Sequence, residues 1–157
     1  MEEKSIHIRY RSTQTVNDFD SAVQKLIADT IHFASQAYAP YSNFRVSAGL
    51  ILDNGTILKG TNVENASYPV GICAERTLLS HAVSNYPDCV IKTLAVYVDK
   101  DLSTPVPPCG LCRQTLVEVE NRQQQNIIVL LVGKNGTILE FSSCKDLLPL
   151  SFGAAFL

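Results

Sequence analysis

Two Asn-Gly pairs constrain this chain more than any other feature. Asn54-Gly55 lies between the apolar runs Val46–Leu52 and Ile57-Leu58, and Asn135-Gly136 follows the run Ile127–Val132 and leads into Thr137–Phe141. Asn-Gly between apolar runs signals a two-residue β-hairpin. Segments 45–53 and 56–62 are therefore expected to pair antiparallel, and 127–132 with 137–141. Val90–Val98 is a fifth strand. Its continuous apolar run suits a strand covered on both faces.

Between the strands the period changes. Phe19, Ala22, Val23, Leu26, Ile27, Ile31, Ala34 and Tyr38 recur at the i, i+3, i+4 spacing of one helix face. Asn17 or Asp18 is placed to cap this helix and Pro40 to stop it. Residues 74–84 and 110–122 are helical in character, and 63–72 and 100–108 read as loops. Asp146–Leu148 reads as a short helical turn. Helices alternating with apolar strands imply an α/β sheet covered by helices. Residues 1–16 are polar and show no clear period, so they read as an N-terminal arm. Residues 17–157 read as a single domain, consistent with the length of 157.

The formal net charge is −2, from 13 basic and 15 acidic residues. Proteins that grip phosphate backbones carry a basic excess, so nucleic acid is not the expected partner. No stretch approaches the roughly 18 apolar residues of a membrane span. Met1-Glu2-Glu3-Lys4 leads into no apolar signal segment. A cytoplasmic location is expected, with the five cysteines kept as thiols.

Two segments carry chemistry: Cys73-Ala74-Glu75-Arg76 and Pro108-Cys109-Gly110-Leu111-Cys112-Arg113-Gln114. In each, a cysteine falls where a loop becomes a helix. The helix N-terminus favours thiolate, the form that binds zinc. Cys-x2-Cys alone fits zinc or a redox pair. Three well-placed cysteines without a fourth ligand match the catalytic zinc pattern, which keeps one position open. Glu75 is then the candidate proton shuttle, although a glutamate in a first helical turn is more often dipole compensation. Pro-Cys-x2-Cys with x-Glu after a third ligand is the signature of zinc deaminases, here with Cys73 in the histidine slot. His7, His32 and His81 lack a following Glu at that spacing and read as ordinary residues.

These segments resemble the small, all-cysteine, homotetrameric cytidine deaminases. The likeness extends to Tyr38-Ala39-Pro40-Tyr41-Ser42-Asn43-Phe44, to Asn62-Val63-Glu64-Asn65-Ala66-Ser67-Tyr68-Pro69 and to Leu147–Gly153, in order over about residues 20–153. The resemblance implies a three-layer α/β/α fold around a mixed sheet of about five strands. It implies hydrolytic deamination of cytidine and 2′-deoxycytidine in pyrimidine salvage, with one Zn²⁺ per subunit. It assigns Cys73, Cys109 and Cys112 as zinc ligands and Glu75 as the shuttle. Asn62 and Glu64 match a pair that bonds the ribose 3′-hydroxyl, and Phe44 a ring packed on the pyrimidine. The Ala74 N–H matches a donor to the pyrimidine 2-oxygen, and Phe152 an aromatic reaching a neighbouring subunit's site. Arg76 matches a donor to the ligand sulfurs.

Taken singly, these residues have plainer readings. Asn62 and Glu64 suit a solvated turn, Phe44 a core position and Phe152 a docked C-terminus. Val46-Ser47-Ala48-Gly49-Leu50 and Leu111 depart from the family pattern. Cys89 and Cys144 match no ligand and read as buried thiols. The competing functions are a zinc deaminase of a modified or antibiotic nucleoside, a nucleic-acid editor, and a non-enzymatic zinc module.

Overall fold

A computed structural model describes residues 1–157. Nine elements follow in order: β1 (Arg11–Thr13), α1 (Ser21–Phe33), β2 (Val46–Leu52), β3 (Ile57–Thr61), α2 (Ala74–Asn85), β4 (Ile91–Val98), α3 (Gly110–Gln123), β5 (Ile128–Val132) and β6 (Ile138–Phe141). The strands form one sheet in the order β1-β6-β5-β4-β2-β3. Only β4 and β5 are parallel, and α3 supplies the crossover that a parallel pair requires. The sheet has six strands, not five. The sixth, β1, comes from the segment read as an unpatterned arm. The strand is only three residues long, Arg11-Ser12-Thr13, paired with β6 through Arg11–Glu140, Ser12–Leu139 and Thr13–Ile138, and so leaves no apolar period to read.

Both hairpins form, but not with two-residue turns. Gly55 N–H donates to the Leu52 carbonyl and Leu52 N–H to the Thr56 carbonyl. Gly133 and Thr137 close the second loop in the same way. Each loop thus has three residues, with Gly55 (φ +83°) and Gly136 (φ +87°) in the left-handed region. This is a type I turn completed by a left-handed glycine. The asparagines keep negative φ because their side chains are bonded. Asn54 Oδ1 accepts from Thr56 N–H at 2.9 Å and Asn135 Oδ1 from Thr137 N–H at 3.1 Å.

The cap of α1 is Asp20, whose Oδ1 accepts from Val23 N–H at 2.9 Å. Asn17 and Asp18 instead belong to a preceding 3-10 turn, capped by Thr15. The α-helix ends at Phe33 and continues as a 3-10 turn over Ala34–Gln36. A 3-10 turn over Cys144–Leu147 takes the place of the expected turn at 146–148.

Two apolar clusters divide the molecule into three layers. On one face Leu26, Ile27 and Ala34 pack with Ala95, Tyr97, Leu130 and Val132. On the other, Leu78, Leu79, Leu116 and Val117 pack with Leu50, Leu94, Val96 and Leu131. Strand β4 therefore serves both cores, which is why its apolar run is unbroken. β2 pairs antiparallel with both β3 and β4, so those two strands point the same way. The chain leaves their carboxyl ends toward α2 and α3 respectively. Both helix N-termini consequently lie at one rim of the sheet.

Candidate metal centre and pocket

Cys73 is the N-cap of α2 and Cys109 the N-cap of α3, and Cys112 sits one turn into α3. Residues 36 positions apart thus meet at the shared rim. Cys73 Sγ lies 3.9 Å from Cys109 Sγ, which lies 3.5 Å from Cys112 Sγ. Thiolates about 2.3 Å from one tetrahedral zinc stand roughly 3.8 Å apart, so the spacing fits that ion. Arg76 gives an independent sign. Its Nε is buried and has no hydrogen-bond partner, while its charge helps favour the Cys73 thiolate. A buried donor aimed at a sulfur cluster suits a site whose sulfurs are anionic.

The Cys73 thiol is lowered to about 5, first by the hydrogen bond from Cys112, then by Cys109 and Arg76 against the opposing effect of burial. Cys112, fully buried, is pushed up because its S–H group bonds to Cys73, with burial adding to the effect. Glu75 follows in the first turn of α2 and is only 4% exposed. Burial, followed by the nearby Cys73 charge, raises its carboxyl above the ordinary range.

The cluster opens into a pocket of about 320 Å³ lined by Phe44, Asn62, Glu64, Cys73, Ala74 and Glu75 among others. That volume falls in the range of small-molecule sites. Ala74 opens α2, so its N–H has no acceptor within the helix. Asn62 Nδ2 donates to the Phe44 carbonyl and its Oδ1 accepts from Val46 N–H, both at 2.9 Å. The side chain thereby fixes the pocket wall and retains one N–H and one lone pair. Phe152 lies outside this pocket. It is 61% exposed, stacks on Phe156 and accepts from Gln114 Nε2 through its carbonyl.

Residues 20–129 match the family described as the cytidine and deoxycytidylate deaminase zinc-binding region. The chain belongs to that family. The cytidine deaminase of Halalkalibacterium halodurans is 40% identical to it over 131 residues, covering 83% of this chain and 94% of the relative. That of Sporosarcina psychrophila is 43% identical over 130 residues, covering 83% and 90%. The crystal structure of cytidine deaminase from Burkholderia pseudomallei superposes with a TM-score of 0.73 at 38% identity, covering 82% of this chain and 97% of that one. The chain is thus an enzyme of the cytidine deaminase family, a group of hydrolases, with a cysteine cluster able to hold the family's metal.

Sequence reading gave no role to the residues that position Glu64. Its carboxylate accepts from Tyr41 N–H at 2.9 Å, from Ser42 N–H at 3.3 Å and from the Ser42 hydroxyl. Asn43 adopts φ 52°, which turns the chain so that Ser42 Oγ also receives Phe44 N–H at 3.0 Å. The Ser42 hydroxyl, with the two N–H groups, holds Glu64 below its ordinary range. Tyr68, Val63, Val96 and Val106 also line the pocket. Such contacts join residues more than 20 positions apart and leave no local pattern. Arg113, noted only as following a ligand segment, anchors the ligand loop. Its Nε donates to the Pro108 carbonyl and its Nη1 to that of Leu147. Cys144 is buried, as read from the sequence, whereas Cys89 is half-buried and accepts from Asn54 Nδ2.

Proposed function

We propose that the enzyme hydrolyses cytidine and 2′-deoxycytidine to uridine and 2′-deoxyuridine, releasing ammonia. The observation that carries this reading is the buried Glu75 beside three clustered thiols at the floor of a pocket walled by Phe44, Asn62 and Glu64. Cys73, Cys109 and Cys112 would hold one Zn²⁺ per subunit, whose Lewis acidity makes water a nucleophile at neutral pH.

The remaining work belongs to the chain. Phe44 packs on the pyrimidine, and the Ala74 N–H bonds its 2-oxygen. Asn62 and Glu64 bond the ribose 3′-hydroxyl, so an analogue lacking that group forfeits those bonds and binds less tightly. Glu75 takes the proton of the attacking water as the oxygen bonds to C4 and delivers it to N3. A second transfer through Glu75 reaches the amino group, and the C4–N bond breaks to give ammonia. Burial suits Glu75 to both directions of transfer, because a raised carboxyl pKa makes it a better proton carrier near neutral pH. Arg76 offsets the negative charge of the three thiolates.

Exposure of Phe152 supports its reaching a neighbouring subunit's pocket in a homotetramer. A role in cytoplasmic pyrimidine salvage follows from the substrate. The direct test is ultraviolet absorbance of cytidine with the purified enzyme, with and without a zinc chelator, beside Glu75→Gln. Conversion to uridine is expected to need both the metal and Glu75, with Glu75→Gln slowing turnover about 10²–10⁴-fold while fold and zinc content persist. Folded, zinc-loaded enzyme that leaves cytidine unchanged would overturn the substrate and direct the assay to modified nucleosides.

A further inference from the structure

We propose that the N-terminal arm is a docking strand for a second copy of this chain, paired antiparallel with its counterpart about His7. The arm precedes the residues matched to the family, which begin at position 20. β1 is a terminal strand of the sheet, so its outer edge has no partner. Its inner ladder stops at the pair Arg11–Glu140. One step further, Tyr10 stacks on Phe141 with ring centroids 5.3 Å apart. Beyond Phe141 the chain turns away into the Cys144–Leu147 3-10 turn. The protein's own sheet therefore offers residues 5–9 no strand, and none of residues 1–10 forms a backbone–backbone hydrogen bond.

This unpaired segment is built as a strand. Alternation sets Ile6, Ile8 and Tyr10 on one side and His7, Arg9 and Arg11 on the other. The three apolar side chains are 56%, 46% and 58% exposed. It contains no proline between Ile6 and Arg11, and its charges, Arg9 and Arg11, all lie on the side away from Ile6, Ile8 and Tyr10.

The sequence of the arm selects itself as partner. Antiparallel pairing about His7 sets Ile6 opposite Ile8 twice, Ser5 opposite Arg9 twice, Lys4 opposite Tyr10 twice and Glu3 opposite Arg11 twice, with the two His7 side chains facing each other at the dyad. Arg11 already bonds Glu140 of its own sheet yet its side chain is 81% exposed, leaving it free to accept a second carboxylate. Slipping the register by one residue puts Ile6 opposite His7 and mixes the faces. Centring on Ile8 keeps the apolar pairs but sets Arg9 opposite His7 and leaves Glu3 opposite Thr13. Centring on Ile6 sets Lys4 opposite Ile8. The arrangement about His7 is isologous, so each contact joins two arms and no more.

The test is sedimentation velocity of the zinc-loaded full chain over a range of concentrations. The wild type is expected to show an association step that grows with concentration and depends on the arm. Ile8→Pro removes an N–H from the centre of the arm and is expected to weaken that step about tenfold or more, with deaminase activity unchanged. It breaks no backbone–backbone hydrogen bond of the domain, since residues 1–10 make none. His7→Cys places two thiols across the dyad within disulfide reach. Mild oxidation is expected to link this variant into a covalent pair, and to link neither the wild type nor the double variant with Ile8→Pro. Identical sedimentation of wild type and Ile8→Pro overturns the proposal, as does a His7→Cys variant that oxidises no differently from wild type.

Discussion

Arg76 and Ser42 act through other residues, and each has a separable signature. The buried, partnerless Nε of Arg76 faces a cluster whose sulfurs are anionic when metal is bound. Arg76→Ala is expected to lower zinc affinity about 10–100-fold, read as zinc retained after dialysis against a graded chelator. The Ser42 hydroxyl donates to the Glu64 carboxylate and fixes its position in the pocket wall. Because Glu64 is depressed below its ordinary range, the loop gains its full stabilisation above that range and loses it as pH falls through the lowered value. The Tyr41 and Ser42 amide resonances are expected to stay constant from neutral pH down to the ordinary glutamate range and to shift only below it. In Ser42→Ala the Tyr41 shift is expected to begin at higher pH. The three cysteines and Glu75 could be singled out in the sequence because the zinc-deaminase pattern restricts residue type and spacing. Ser42 was not, since any serine suits a loop until the fold brings a carboxylate to it.

At the scale of elements, the departure at Ser47 and Gly49 has a packing explanation. Ser47 Oγ donates to the Thr30 carbonyl at 2.6 Å, and the Thr30 hydroxyl donates to the Leu26 carbonyl at 2.7 Å. A Cβ at Gly49 would stand 2.2 Å from Thr30 Oγ1 and 2.9 Å from Leu26 Cδ1. Helix α1 therefore lies against β2 at a distance only glycine permits. Gly49→Ala is expected to cost about 1–3 kcal/mol in urea unfolding, and adding Thr30→Ala to recover most of the loss. Additive costs in the double variant would refute this coupling. Glu120 is a second long-range device. This buried carboxylate accepts from Ile127 N–H at 2.9 Å, Cys144 N–H at 2.8 Å and the Ser143 hydroxyl at 2.6 Å. It ties α3 to the start of β5 and to the turn after β6, and burial beside it pushes the Cys144 thiol up. The helices, strands and both hairpins were readable from period and turn residues. Turn length, the Asp20 cap and Glu120 were not, because each depends on which hydrogen-bond partner lies nearest after folding.

For the whole molecule, a metal held by the three cysteines would clamp the starts of α2 and α3, which the chain connects only through α2, β4 and their loops. Any ligand that binds the folded chain alone stabilises it by mass action, about 4 kcal/mol at a thousand times its dissociation constant. Stripping zinc is therefore expected to lower the melting temperature by roughly 8–16 °C at the 2–4 °C per kcal/mol typical of this size. Returning zinc should restore both stability and deamination, and a melting curve indifferent to chelator would refute the clamp. The sequence by itself determined the strand and helix periods, the reversals at the two Asn-Gly pairs, and a set of thiols and a carboxylate suited to zinc hydrolysis. Those are consequences of local stereochemistry and ligand chemistry, which neighbouring residues carry. Only the tertiary structure decided that β3 and β4 point the same way and so bring Cys73 to Cys109. It also decided that Glu64 is held by Ser42, and that the arm joins the sheet as its sixth strand. Each of these rests on a contact between distant segments, which exists only once burial of the two cores has fixed their arrangement.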